Sequence, residues 1–359
     1  PRIVNGLVII GNGGAELGVR GYVTAYDAES GEQRWRFFTV PGNPAEGFED
    51  ATQARIAKTW YGQWWENGKG GGTAWDSFAF DPALNLLYIG VGNGSSWNRK
   101  IRSEGKGDNL FLSSIVAVKA DTGEYVWHYQ TTPGDSWDYT ATQHMILADI
   151  AIDGEPRKVI MQAPKNGFFY VLDRESGELL SAEKYMPVNW ASHVDMETGR
   201  PVEAPGLRDG SFPGMIQPAP SGAHNWQPMS YSPTTGLVYV PAMVSGAIYA
   251  DDFSAKDRGG IWNTNYAIAP MLEVPDAVPV EQRAQMGEML LKSVLVARDP
   301  ASNREVWRAE GGYFSSSGLL STAGNLLFQG DLDGIFRARA ADTGKVLWQT
   351  DVQGGLMAS

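Results

Sequence analysis

One frame of residues recurs along this chain and restricts its fold more than any other feature. An Ala is followed six residues on by Gly and four further by Trp, as in Ala25, Gly31 and Trp35, then Ala117, Gly123 and Trp127, and again Ala338, Gly344 and Trp348. In Ala297 to Trp307, Asn303 stands in the Gly place. Self-similarity of this kind means one supersecondary unit used several times. Each copy reads as an apolar strand, a polar turn needing positive φ, and a second strand carrying a Trp anchor: a β-hairpin. Upstream of these hairpins lie further β-prone runs entered from a turn residue, Gly6 to Gly11, Asn85 to Gly90, Gly236 to Val240 and Asn325 to Gly330. Four strands per unit, repeated and punctuated by 43 Gly, predict an all-β propeller of four-stranded blades rather than a sandwich.

Counting strand quartets predicts about five blades, over 1–37, 74–129, 141–185, 224–308 and 314–349. Pro1-Arg2-Ile3-Val4 opens directly onto a strand, and the chain closes shortly after Trp348. Both ends read as falling inside a repeat, so residues 1–359 are expected to be one propeller domain truncated at both ends. The connections are of two kinds. Those between first and second strands and between third and fourth strands are tight turns, whereas 38–73, 92–111, 186–223 and 242–292 are long. In an up-and-down blade the long connections emerge on one face, where function concentrates. A short helix is expected near Glu281 to Gly287, after Pro270, Pro275 and Pro279.

Composition excludes several classes. A net charge of −12 argues against nucleic acid or an anionic membrane surface as partner. The absence of Cys excludes disulfides, thiolate metal sites and covalent haem attachment within this stretch. No apolar run is long enough to span a bilayer, and no basic-then-apolar signal segment opens the chain. The four His show no ligand spacing and read as packing or surface residues.

Three polar residues sit just past the ends of second strands: Glu16, Asn93 and Lys165. Equivalent blade positions should bring them together on the long-loop face, where Asp138, Thr73 and Trp75 also emerge from blade-to-blade connections. Glu and Asn oxygens are hard ligands suited to Ca²⁺, with Asp138 or a bound ligand supplying the rest. Trp75, beside Gly70-Gly71-Gly72, could support a planar cofactor. Bland readings stand beside these. Trp75 alone would be a core residue and Asn93 a turn residue, while Asp135 and Asp138 would be turn caps rather than the carboxylate pair of a glycosidase. Trp35, Trp127, Trp307 and Trp348 are expected at blade-to-blade contacts.

The segments Gly13 to Gly21, Gly70 to Ser77, Gly92 to Asn98 and Asp135 to Tyr139 resemble the signature segments of pyrroloquinoline quinone (PQQ)-dependent alcohol dehydrogenases, and the Trp-docking repeat resembles the one that closes that family's eight-bladed propeller. The resemblance implies oxidation of primary alcohols to aldehydes by hydride transfer to calcium-bound PQQ. It further implies that Glu16, Asn93 and Asp138 ligate calcium, that Asp138 is the general base, and that Lys165 is a catalytic and cofactor-binding cation at the quinone oxygens. Trp75 would stack beneath the quinone, and Thr73, Gly14, Ala15 and Glu16 would complete the cofactor site.

The same resemblance implies a periplasmic location, a small alcohol as substrate and cytochrome c or a quinone as electron acceptor. Haem c is possible in the parent protein but not in this stretch. The adjacent Cys pair the family places over the quinone is absent from these residues. Thr140 stands where lanthanide-dependent relatives carry a further Asp, which favours calcium. Pro133 to Asp138 and Ala223 to Trp226 look closer to the ethanol-type and quinohaemoprotein branches than to methanol dehydrogenases. An incomplete ring would expose apolar blade flanks, so little activity is expected of this segment by itself. The competing reading is a non-catalytic propeller scaffold for protein assembly or ligand binding, which has no reason to keep the polar set.

Overall fold

The computed structural model describes residues 1–66, 68–208, 215–251, 264–270, 292–313 and 317–357. The helix expected near Glu281 lies outside these residues. Five four-stranded antiparallel sheets follow one another along the chain. The first comprises Arg2–Val4, Leu7–Gly11, Tyr22–Asp27 and Gln33–Phe38, and the second Phe78–Asp81, Leu86–Gly90, Ser114–Lys119 and Tyr125–Gln130. The third spans Met145–Ile152 to Leu179–Lys184, the fourth Ser230–Ser232 to Arg304–Tyr313, and the fifth Leu320–Ser321 to Val346–Asp351. Each sheet is a meander in chain order, the propeller blade expected from the repeats. Second strands such as Leu86–Gly90 and Leu237–Met243 are buried along their whole length, as strands covered on both faces by neighbouring blades must be.

The repeating frame explains how blades join. Asp27 opens its turn by accepting hydrogen bonds from the backbone of Glu29 and Ser30 at 3.1 and 2.9 Å, and Gly31 closes it with φ of 74°. Asp173 does the same for Glu175 and Ser176 ahead of Gly177. At three of the joints the Trp four residues past a blade's turn docks on the turn glycine of the next blade. Trp35 lies so close to Gly123 that a Cβ there would meet its ring at 2.6 Å, and its indole N–H donates to Ala120 O at 3.0 Å. Trp127 covers Gly177 and Trp307 covers Gly344 in the same way.

Between the third and fourth blades the joint is polar instead. Ser181 takes the Trp position and Asn303 the Gly position, and Asn303 Nδ2 donates to Ser181 Oγ at 3.0 Å and to Phe169 O at 3.1 Å. Trp348 departs from expectation: it is 53% exposed, and among the described residues no turn glycine receives its ring.

The long connections carry structure that their composition did not reveal. A short helix, Ala51–Ile56, is capped by Asp50, whose carboxylate accepts from Gln53 N at 2.8 Å. Three two-stranded ribbons form, Gly70–Gly71 with Gly94–Ser95, Ala191–Asp195 with Arg200–Glu203, and Ala247–Asp251 with Tyr266–Pro270. The first ribbon connects the loops that carry Thr73 and Asn93. Among the described residues no helix is long and apolar enough to cross a membrane.

Docking can be separated from backbone strain by a pair of glycines that share a φ of +71°: a Cβ at Gly123 meets Trp35 at 2.6 Å, and one at Gly236 meets nothing within 4 Å. Gly123→Ala is expected to cost about 2 kcal/mol more than Gly236→Ala in urea unfolding. Equal losses would remove the Trp dock as the joint between blades.

Candidate functional site

Five connections on one rim of the blades supply the site. Glu16 sits in the single 3₁₀ turn Ala15–Leu17 between the second and third strands of the first blade, flanked by Gly14 and Gly18 at positive φ. Asn93 leaves the equivalent strand of the second blade, and Lys165 that of the third. Thr73 and Trp75 come from the link between first and second blades, and Asp138 from the link between second and third. All line one cavity of about 330 Å³, together with Gly13, Gly14, Ala15, Trp97 and Thr140. Every candidate named from the sequence therefore meets the same space. A second cavity of about 300 Å³, bordered by Arg99, Trp137 and Arg208, shares none of these residues.

The polar groups form two pairs. Glu16 Oε1 accepts from Asn93 Nδ2 at 2.7 Å and from the Trp97 indole N–H at 2.9 Å. Lys165 Nζ donates to Asp138 Oδ2 at 2.7 Å, and both side chains are buried. Asp138 adopts φ of 66°, the left-handed region that a β-carbon disfavours, and such strain is held where surrounding structure over-determines it.

Burial raises the Asp138 carboxyl to about 7, Lys165 opposes the rise, and the charge of Glu16 adds to it. A buried carboxyl poised near neutrality can both take and hold a proton. The stem of Lys165 is pinned by Gly222, where a Cβ would fall 2.5 Å from Lys165 Cγ.

The rest of the cavity suits a flat, oxygen-rich guest. Trp75 is 39% exposed and lines the cavity, so a face of its indole is available to a flat guest. Gly92 keeps the floor thin, since a Cβ there would lie 2.7 Å from Thr73 O and 3.5 Å from Trp75 Nε1. Thr73 Oγ1 is fully buried, lines this cavity and has no hydrogen-bond partner within the described protein, so it is free to bond a guest's oxygen. Among the described residues no group of three or more His, Cys, Asp or Glu is assembled for a metal. A hard cation here would rest on Glu16 and the Asn93 amide oxygen and draw its remaining oxygens from the guest. That requires the Asn93 carboxamide to turn, since its nitrogen now faces Glu16.

Sequence reasoning passed over Trp97, which donates to Glu16; only its position in the Gly92 to Asn98 segment pointed to it. Asp135 is the cap expected of it, its Oδ1 accepting from the backbone of Trp137 and Tyr139 at 3.1 and 3.2 Å. Asp138 is no cap but the partner of Lys165. The His residues are packed or exposed as expected: His128 lies edge-on to Phe111, His224 is buried, His144 is half-buried, and His193 is exposed.

Fold and site together define a β-propeller protein with a polar cavity gathered on one rim of its blades. Residues 1–204 match the family model described as PQQ, glucose/ethanol/alcohol dehydrogenase, beta-propeller domain, and the chain belongs to this family. Residues 291–359 match the model of the outer membrane protein assembly factor BamB. The chain is similar to quinohemoprotein alcohol dehydrogenase ADH-IIG of Pseudomonas putida, at 54% identity over 100% of this chain and 50% of the relative.

The crystal structure of quinohemoprotein alcohol dehydrogenase from Comamonas testosteroni superposes with a TM-score of 0.91 at 50% identity, covering 100% of this chain and 53% of that one. A europium-containing methanol dehydrogenase matches with a TM-score of 0.86 at 34% identity, covering 99% of this chain and 61% of that one. The chain spans about half the length of the curated relatives it matches.

Lys165 lowers the Asp138 carboxyl against burial, so its removal should raise it. Lys165→Met is expected to move the Asp138 midpoint upward from about 7, read as a carboxyl band in infrared difference spectra across a pH series. An unchanged midpoint would show that the ion pair does not govern this proton. Because burial holds the folded carboxyl above its ordinary value of 3.8, this group's contribution to stability is full below about 4 and is lost as pH rises through about 7.

Proposed function

We propose that this chain is part of a propeller domain carrying the cofactor and proton-accepting machinery of a PQQ-dependent alcohol dehydrogenase that oxidises primary alcohols to aldehydes. The observation that carries this reading is the coincidence, in one cavity, of an oxygen pair suited to a hard cation, a Lys–Asp pair, a half-exposed indole and an orphaned hydroxyl. Bound PQQ with calcium would supply the electrophilic carbonyl that receives hydride from the alcohol carbon.

The chain's own groups supply the rest. Asp138 takes the hydroxyl proton, helped by a carboxyl held near neutral by burial. Lys165 keeps Asp138 in place and puts positive charge where oxygen becomes anionic. Trp75 offers one flat wall, Thr73 Oγ1 a hydrogen bond, and Gly14 and Ala15 close backbone approach. Glu16 and Asn93 hold the cation. Thr140 presents a hydroxyl rather than a further carboxylate beside Asp138, which favours calcium over a trivalent ion.

We further propose a periplasmic protein whose electrons leave to cytochrome c or a quinone. The competing scaffold reading is supported by the match of residues 291–359 to the assembly-factor model, and none of the described residues lining the cavity comes from that stretch.

Reconstitution of the full-length protein with PQQ and calcium tests the assignment through dye-linked oxidation of ethanol. Turnover is expected, and Asp138→Asn is expected to lower kcat by about 10²- to 10⁴-fold with the quinone still bound. Folded protein that takes up neither quinone nor calcium would support the scaffold instead. Glu16→Gln is expected to weaken calcium binding by at least about 10-fold in chelator competition, and an unchanged affinity would move the ion elsewhere.

A further inference from the structure

Arg102 is fully buried, and among the described residues its guanidinium pairs with no carboxylate directly. It donates instead to the carbonyls of Ser96 and Trp97, the latter at 2.8 Å, to Asn109 Oδ1 at 3.1 and 3.0 Å, and to Asp135 O at 2.6 Å. Its plane lies on Gly94, where a Cβ would meet Nη1 at 2.5 Å and Cζ at 2.6 Å. Carrying a cation into the interior without a direct ion pair is costly unless its hydrogen bonds are needed for something.

The acceptors show what they hold. The stretch 93–97, gripped at Gly94 and at the Ser96 and Trp97 carbonyls, supplies both donors to Glu16. Asp135, gripped at its carbonyl, supports through its carboxylate the backbone N–H groups on either side of Asp138. One planar fork thus bonds both loops that serve the two polar pairs of the cavity.

We propose that Arg102 is a positioning residue that sets the cation-binding pair, Glu16 and Asn93, at a fixed separation from the proton-accepting pair, Asp138 and Lys165; this rests on the function proposed above. The ammonium of Lys is a point charge and cannot span three carbonyls and an amide oxygen as a planar fork does. A small misplacement of either pair would slow turnover without changing how alcohol is recognised.

The test uses the full-length protein with PQQ and calcium, and normalises turnover to bound quinone. Arg102→Lys is expected to lower kcat per bound PQQ by about 100-fold, to leave KM for ethanol within about threefold, and to raise the calcium dissociation constant in chelator competition by about 10-fold. Gly94→Ala, which keeps Arg102 and pushes it from behind, should shift kcat and calcium affinity in the same direction. A residue that served only stability would reduce the yield of folded enzyme and leave both quantities intact per bound quinone. That result overturns the proposal, as does failure of both variants to fold, which would make Arg102 a residue of the fold and not of the site. If the unsubstituted protein binds neither quinone nor calcium, the function falls and this inference with it. If the unsubstituted protein turns over and the variants match it, only the role of Arg102 falls.

Discussion

The contact on which everything else rests is an indole laid over a glycine. Where Trp35, Trp127 and Trp307 meet Gly123, Gly177 and Gly344, a side chain at the turn would collide with the ring, so the turn is bare and the two blades close at a fixed distance. Repetition of that contact fixes how each blade stands against the next. Because blades are rigid and stacked alike, the loops that leave equivalent strands arrive at equivalent places. The site exists because of that regularity: Glu16, Asn93 and Lys165 come from three different blades and still line one cavity.

The one joint built differently shows that the contact is a geometric requirement rather than a fixed pair of residues. Between third and fourth blades Ser181 and Asn303 replace Trp and Gly, and hydrogen bonds to Ser181 and Phe169 take over from ring packing. Asn303 keeps the positive φ that the turn demands, at 52°. Asn is among the residues that tolerate this region, so turn geometry survives the exchange. Arg298, stationed over Phe169 and donating to Asn303 Oδ1 at 2.8 Å, completes the polar seam.

What could be read from the residues followed from periodicity and turn chemistry. The blade count, the docking role of three Trp and the convergence of Glu16, Asn93, Asp138 and Lys165 all derive from the position of a residue in its repeat. The rest had no periodic signal. The ribbon of Gly70–Gly71 with Gly94–Ser95 is two residues on each side, too short for alternation to register. Trp97 lies outside the Trp-docking frame, and only its indole N–H on Glu16 sets it apart. Arg102 sits in a polar stretch that reads as surface, and only burial reveals it as the hub of two loops. Trp348 obeys the repeat in sequence and not in space, since docking needs a receiving turn as well as a Trp.

The site is balanced between what it satisfies internally and what it leaves open. Asn93 now spends its amide nitrogen on Glu16, and Thr73 Oγ1 spends nothing. The most direct measurement is a crystal structure of the full-length protein grown with PQQ and calcium. The account predicts calcium about 2.3–2.6 Å from oxygens of both Glu16 and Asn93, the latter's amide turned, with the quinone plane lying along Trp75 and an oxygen on Thr73. Calcium or quinone density outside this cavity, with Asn93 still donating to Glu16, would contradict it.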